Sequence, residues 1–88
     1  MSSTTQKILT PRESEVLFLI YKREGNMRLY KDRVIDEHEE SLQDLFPLKT
    51  LERVTLSLAK KGLIEVRDKP ARAYLTPKGL ELAKKLFS

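Results

Sequence analysis

The chain has 88 residues, with 17 Lys and Arg against 13 Asp and Glu and a formal net charge of +4. That length holds one small core and leaves no room for a second lobe or a large substrate cavity. The absence of cysteine excludes disulfides, thiolate-held zinc, haem attachment and thiol nucleophiles.

The longest apolar run, Val16 to Tyr21, is too short to span a bilayer, and residues Met1 to Lys7 lack the basic-then-apolar order of a secretory signal. A cytoplasmic protein without a membrane partner is the expectation. Sparse Asn, Gln and His beside abundant Lys, Arg and Glu is a usage pattern of heat-adapted proteins. The charge is unevenly placed. Residues 1–46 carry seven basic and nine acidic side chains, whereas residues 47–88 carry ten basic and four acidic ones. A basic second half suits a polyanionic partner, although lysines and glutamates also serve simply to solvate a surface.

Residues 1–7 are small and polar and read as a flexible tail. Thr10, Pro11 and Glu13 then form a helix start, with Thr10 as cap, Pro11 at the first helical position and Glu13 completing a capping box. Val16, Leu17, Ile20 and Tyr21 recur at helical spacing, and Gly25 ends the segment. Met27 to Tyr30 fits either a short strand pairing with a later hairpin or a connector. From Lys31 to about Glu39, the positions of Val34, Ile35 and His38 suggest a second helix. Leu42, Leu45 and Phe46 are expected to be buried, and Pro47 interrupts any continuous helix there.

The next helix is expected over 48–61, stopped by Gly62. At about 100° per residue, Leu48, Leu51, Val54, Thr55, Leu58 and Ala59 share its core side. Lys49, Arg53, Ser57 and Lys60 fall opposite, with Thr50 and Leu56 at the margins. Strands over 63–67 and 73–75 flank a basic turn holding Arg67, Lys69 and Arg72, pinned by Pro70. Thr76 caps a last helix over 76–87, with Pro77 at its first position and Leu80, Ala83 and Phe87 on its inner side, broadened by Leu82 and Leu86.

The sequences KKGLIEV and AYLTPKGLELAKKL resemble the end of the winged-helix domains of MarR- and PadR-like transcription regulators. The resemblance lies in Lys60, Lys61, Gly62, Leu63 and Ile64, followed by Tyr74, Leu75, Thr76 and Gly79. It implies a single α+β, mostly helical, winged helix-turn-helix domain over 1–88. Such a domain has a three-helix core, a recognition helix at 48–61, a two- or three-stranded β-wing at 63–75 and a C-terminal helix at 76–87. The opening LTPRESEVLFLI is similar to the start of LuxR-type DNA-binding domains. The chain departs from that pattern after Gly25, where a hairpin replaces their later helices, so this likeness reads as a shared capping solution.

The implied activity is sequence-specific binding of double-stranded DNA by a homodimeric transcription regulator. Arg53 suits bidentate contact with a guanine edge. Lys49 and Thr50 sit where a helix N-terminus favours phosphate, Ser57 suits a base or a phosphate, and Lys60 a phosphate. In the wing, Arg67, Lys69 and Arg72 are candidates for the backbone or the minor groove. The apolar residues available for a dimer contact are Leu82, Leu86 and Phe87 in the last helix and Phe18 and Leu19 in the first. Two other readings stay open: a winged helix used as a protein-interaction adaptor, and a non-specific architectural DNA binder.

His38 among Asp36, Glu37, Glu39 and Glu40 is the one group that invites a metal. Neighbouring residues of one helix do not converge on a point, and there is no second His or Cys. No metal, cofactor, small-molecule effector or enzymatic activity is expected. No nucleophile is paired with a base, and the three glycines are too far apart for a phosphate-cradling loop.

Overall fold

Thr10 opens the first helix, α1 (Pro11–Lys22), through the reciprocal contacts its sequence predicts. Its hydroxyl accepts from the Glu13 amide at 3.2 Å, while Glu13 Oε1 accepts from the Thr10 amide at 2.8 Å. These bonds satisfy donors that the first helical turn leaves without partners. The computed structural model describes residues 9–30, 40–68 and 71–88. The expected N-terminal tail, the expected helix over 31–39 with His38 and its acidic neighbours, and Lys69 with Pro70 lie outside the described residues.

The chain leaves α1 at Arg23 and passes through positive φ at Glu24 (60°) and Gly25 (87°). It then enters β1 (Asn26–Arg28), which resolves the choice between strand and connector. A 3₁₀ turn over Leu42–Asp44 leads into α2 (Leu48–Lys60), followed by β2 (Ile64–Arg67), β3 (Arg72–Leu75) and α3 (Pro77–Phe87). The domain is therefore α+β and mostly helical, and among the described residues three helices pack against a three-stranded antiparallel sheet. None of the described helices is long and apolar enough to cross a membrane.

The last strand in sequence is the middle one in space, in the order β1-β3-β2. Met27 and Val66 both lie opposite Ala73, and Ile64 lies opposite Leu75. This row faces the core, where Met27, Ala73 and Ile64 are buried. Side chains alternate along a strand, so Arg28, Arg72 and Arg67 form a row on the other face, next to Asn26, Tyr74 and Glu65.

Val16, Leu17 and Ile20 of α1 and Leu51, Val54 and Leu58 of α2 supply the fully buried centre, at the helical spacing read from the sequence. Three apolar residues expected inside stand partly out. Leu48 is 44% exposed because side chains at a helix start project back past its end, beyond the core. Leu45, also 44% exposed, follows the 3₁₀ turn, where Leu42 and Phe46 take the buried places. Leu80 lies at the open edge of α3, whose inward contact is made by Ala83 and by Phe87 against Phe18, with ring centroids 5.0 Å apart.

The junction between α2 and α3 is held by backbone. The chain turns out of α2 at Gly62 (φ 75°), and the Leu63 amide reaches back to the Leu58 carbonyl. The Thr76 hydroxyl donates to the Gly62 carbonyl at 2.6 Å and accepts from the Gly79 amide at 3.0 Å, so one side chain ties the turn to the start of α3. A Cβ on Gly62 would meet only the side chain of Lys78, 4.0 Å away. The penalty for Gly62→Ala is thus the left-handed backbone alone, about 1–2 kcal/mol. Urea unfolding should show the midpoint fall while the slope stays unchanged.

Candidate nucleic-acid interface

The sequence-predicted site residues separate into two groups, one on α2 and one on the β2–β3 hairpin. On α2, Lys49, Glu52, Arg53, Leu56 and Lys60 are exposed and occupy one continuous arc of about 100°. Lys49, Arg53 and Lys60 therefore do share an open face, as the helical spacing implies. Among the described residues none of the three is paired with a carboxylate. Leu56, expected at the margin, is near the middle of the arc and is 58% exposed. Glu52 places one negative charge at the edge of the same arc.

Thr50 and Ser57 are half-buried on the flank that faces α1. Ser57 does not belong to the open face. Its hydroxyl donates to Glu13 Oε2, and the ammonium of Lys61 lies 2.8 and 2.9 Å from the two carboxylate oxygens of Glu13. Ser57 and Lys61 stand four residues apart, on the same side of α2, and together clasp a carboxylate that is only 2% exposed. Burial alone would push the Glu13 carboxyl up. The Lys61 and Ser57 hydrogen bonds, the Thr10 amide and the Lys61 charge outweigh it and bring the pKa down from 4.5 to about 2.

Nothing in the sequence links Glu13 to Ser57 or Lys61, since they lie 44 and 48 positions apart. The capping box identified Glu13, but only as a local helix device.

The N-cap of α2 is Pro47, which supplies no side-chain acceptor, and Lys49 and Thr50 fall in the first turn. A turn opened this way leaves amide donors and the positive end of the helix dipole available to an anion.

The hairpin carries Arg67 and Arg72 directly opposite each other. Like charges in that position repel, and each guanidinium is held by a neighbour. Arg67 bonds the Glu65 carboxylate through two nitrogens at 3.3 Å and lies over the Tyr74 ring, 5.0 Å from its centroid. The Glu65 hydrogen bonds and charge raise the Arg67 pKa. Arg72 is half-buried and donates from Nε to Asn26 Oδ1 at 3.1 Å. On its other side Arg72 faces the buried Arg28, so three arginines stand in one row across the sheet. Arg28 escapes sequence reading because its alignment depends on strand register. Lys69 lies outside the described residues.

No protein-family model, no curated protein and no solved structure matches the chain.

Proposed function

We propose that this chain is a winged-helix protein of the MarR- and PadR-like kind that binds double-stranded DNA sequence-specifically and acts as a homodimeric transcription regulator. The observation that carries the reading is the open face of α2, where Lys49, Arg53 and Lys60 stand free of carboxylate partners among the described residues. In this reading α2 enters the major groove. Arg53 reads a guanine edge, Glu52 can accept from a cytosine amino group, and Leu56 can touch a thymine methyl. Lys49 and the uncapped first turn hold a phosphate, as does Lys60. The β2–β3 hairpin is the wing, with Arg67, Lys69 and Arg72 on the backbone or in the minor groove. Glu65 does not stand in the way, because an exposed ion pair is weak and a phosphate can replace it. The half-exposed Phe18 and Phe87 at the α1–α3 edge supply the dimer contact; sedimentation as a monomer at high concentration would remove that part.

Selection of duplexes from a random pool, followed by fluorescence anisotropy, tests the whole reading. Arg53→Ala should weaken the selected duplex by about 1–3 kcal/mol and relax preference at one base pair, while an equal loss on random DNA would leave only architectural binding. Arg67→Ala with Lys69→Ala should weaken all duplexes and flatten the salt dependence. An unchanged salt slope would remove the wing from the interface.

A second reading, a protein-interaction adaptor, is favoured by one observation: among the described residues Leu56 is the most exposed of the large apolar side chains and sits mid-face. Absence of duplex binding at about 50 mM salt, where phosphate contacts are strong, would select it.

A further inference from the structure

We propose that the groove between the end of α2 and α3 is a separate binding site, which takes an acidic segment of a protein partner carrying apolar anchor residues. The groove has a volume of about 960 Å³, and its apolar lining is Pro77, which is exposed, and Leu82, which is half-buried, beside the buried Leu63. Exposed lysines surround this apolar lining: Lys60 from α2, and Lys78 and Lys85 from α3.

The charge at the rim is available. Among the described residues Lys60 and Lys78 have no carboxylate partner. Lys85 lies 3.8 Å from Glu81, but both side chains are more than 70% exposed, so water competes with that pair. Lys61 also lines the groove, yet its ammonium is held by Glu13 and adds little. Among the described residues Glu81 is the single acidic one lining it.

Lysines around an apolar bed call for a ligand with both characters. A nucleic-acid backbone would meet the ammonium groups and leave the accessible apolar surface of Pro77 and Leu82 uncovered. An amphipathic acidic segment satisfies both at once, setting apolar side chains on the bed and carboxylates on the rim. This inference shares Lys60 with the DNA reading, but it is tested separately, because Lys78 and Lys85 take no part in that reading.

The probe is a fluorescein-labelled peptide, EELLEELLEELLEE, titrated with the full chain at about 50 mM salt. Saturable binding that weakens with added salt is expected. Lys78→Glu with Lys85→Glu should lower affinity about tenfold or more, and Glu81→Gln, which removes the acidic side chain at the rim, should raise it a few-fold. Circular dichroism checks that each variant is folded; should the double variant not fold, Glu81→Gln decides, and an unchanged affinity overturns the proposal.

The proposal also falls if no saturable binding occurs, or if the folded double variant binds like the parent. Equal binding of a peptide with every Leu replaced by Ser would reduce the groove to a cationic surface. If Lys78→Glu with Lys85→Glu weakens duplex binding as much as peptide binding, the groove belongs to nucleic acid instead. Peptide binding without duplex binding keeps this site and removes the DNA reading; the converse does the reverse.

Discussion

Replacing Glu13 by glutamine should destabilise the domain by about 2–3 kcal/mol at neutral pH, and the loss should fade in acid. Glu13 is buried, closes the capping box with Thr10, and accepts from both Ser57 and Lys61. Its folded pKa of about 2 lies below the ordinary 4.5. A carboxyl lowered on folding stabilises the native state fully above its unfolded pKa. That contribution disappears as pH falls from about 4.5 through about 2. At about 1.4 kcal/mol per pKa unit, the ceiling is about 3.5 kcal/mol. Lys61, at 37% side-chain exposure, can turn to water once its partner is gone, which keeps the loss below that of a fully buried pair.

Urea unfolding of parent and Glu13→Gln from pH 7 to pH 2 tests this directly. The two curves should run parallel above about pH 5, draw together from about pH 4.5 and nearly meet at about pH 2. Parallel curves across the whole range would mean that the carboxylate charge contributes nothing. Glu13→Ala should lose about 1 kcal/mol more, because it also deletes the reciprocal half of the cap.

Gly79→Ala should be the most damaging single-methyl substitution in the chain, at about 3 kcal/mol or more. A Cβ at position 79 would lie 1.9 Å from the Leu63 carbonyl oxygen and 2.8 Å from its carbon. Both atoms are backbone, and they belong to the residue whose carbonyl accepts from the Thr76 amide at 3.1 Å. No rotamer change relieves that contact. Either α3 lifts away from the α2–β2 turn or the Thr76 bond breaks, and Ala83 is drawn out of the core with it. Alanine is otherwise the better helix former, so the prediction opposes propensity, and a Gly79→Ala protein as stable as the parent would refute the close approach. Gly62→Ala serves as the internal comparison, since its penalty comes from φ with open space around it.

What was legible in the sequence was mostly local. Thr10 with Glu13, and Thr76 with Pro77, marked helix starts because a cap is decided within four residues. The buried stripe of α2 was legible because packing must follow the helical period: Leu51, Val54 and Leu58 have no other way to reach one core. The hairpin came out within one residue at each strand, at 64–67 and 72–75 against the expected 63–67 and 73–75.

What escaped was the identity of neighbours. Ser57 projects near the boundary between the buried and open arcs, and only the arrival of Glu13 from α1 turns it inward. Leu56 moved from the margin to the middle of the open face for the same reason, since the flank holding Thr50 and Ser57 is covered. The alignment of Arg28, Arg72 and Arg67 depends on two strand registers at once. Likewise, the groove at Leu63 and Leu82 exists only because α3 folds back onto the end of α2.

The central place of β3 has a consequence for how the chain reaches this state during synthesis. β1 emerges well before β3, the strand it pairs with in the sheet, and β2 too emerges with its β3-facing edge bare. Both wait for Arg72 to Leu75, which then bond on their two sides in one step. Closing β1 onto β3 spans more than forty residues, from Asn26 to Tyr74, and the entropy of that loop is lost before the sheet returns any stability. The hairpin, with its short connection, therefore forms first and serves as the template on which β1 docks. A nascent chain released short of β3 keeps two open strand edges, the condition under which partly made chains stick to one another.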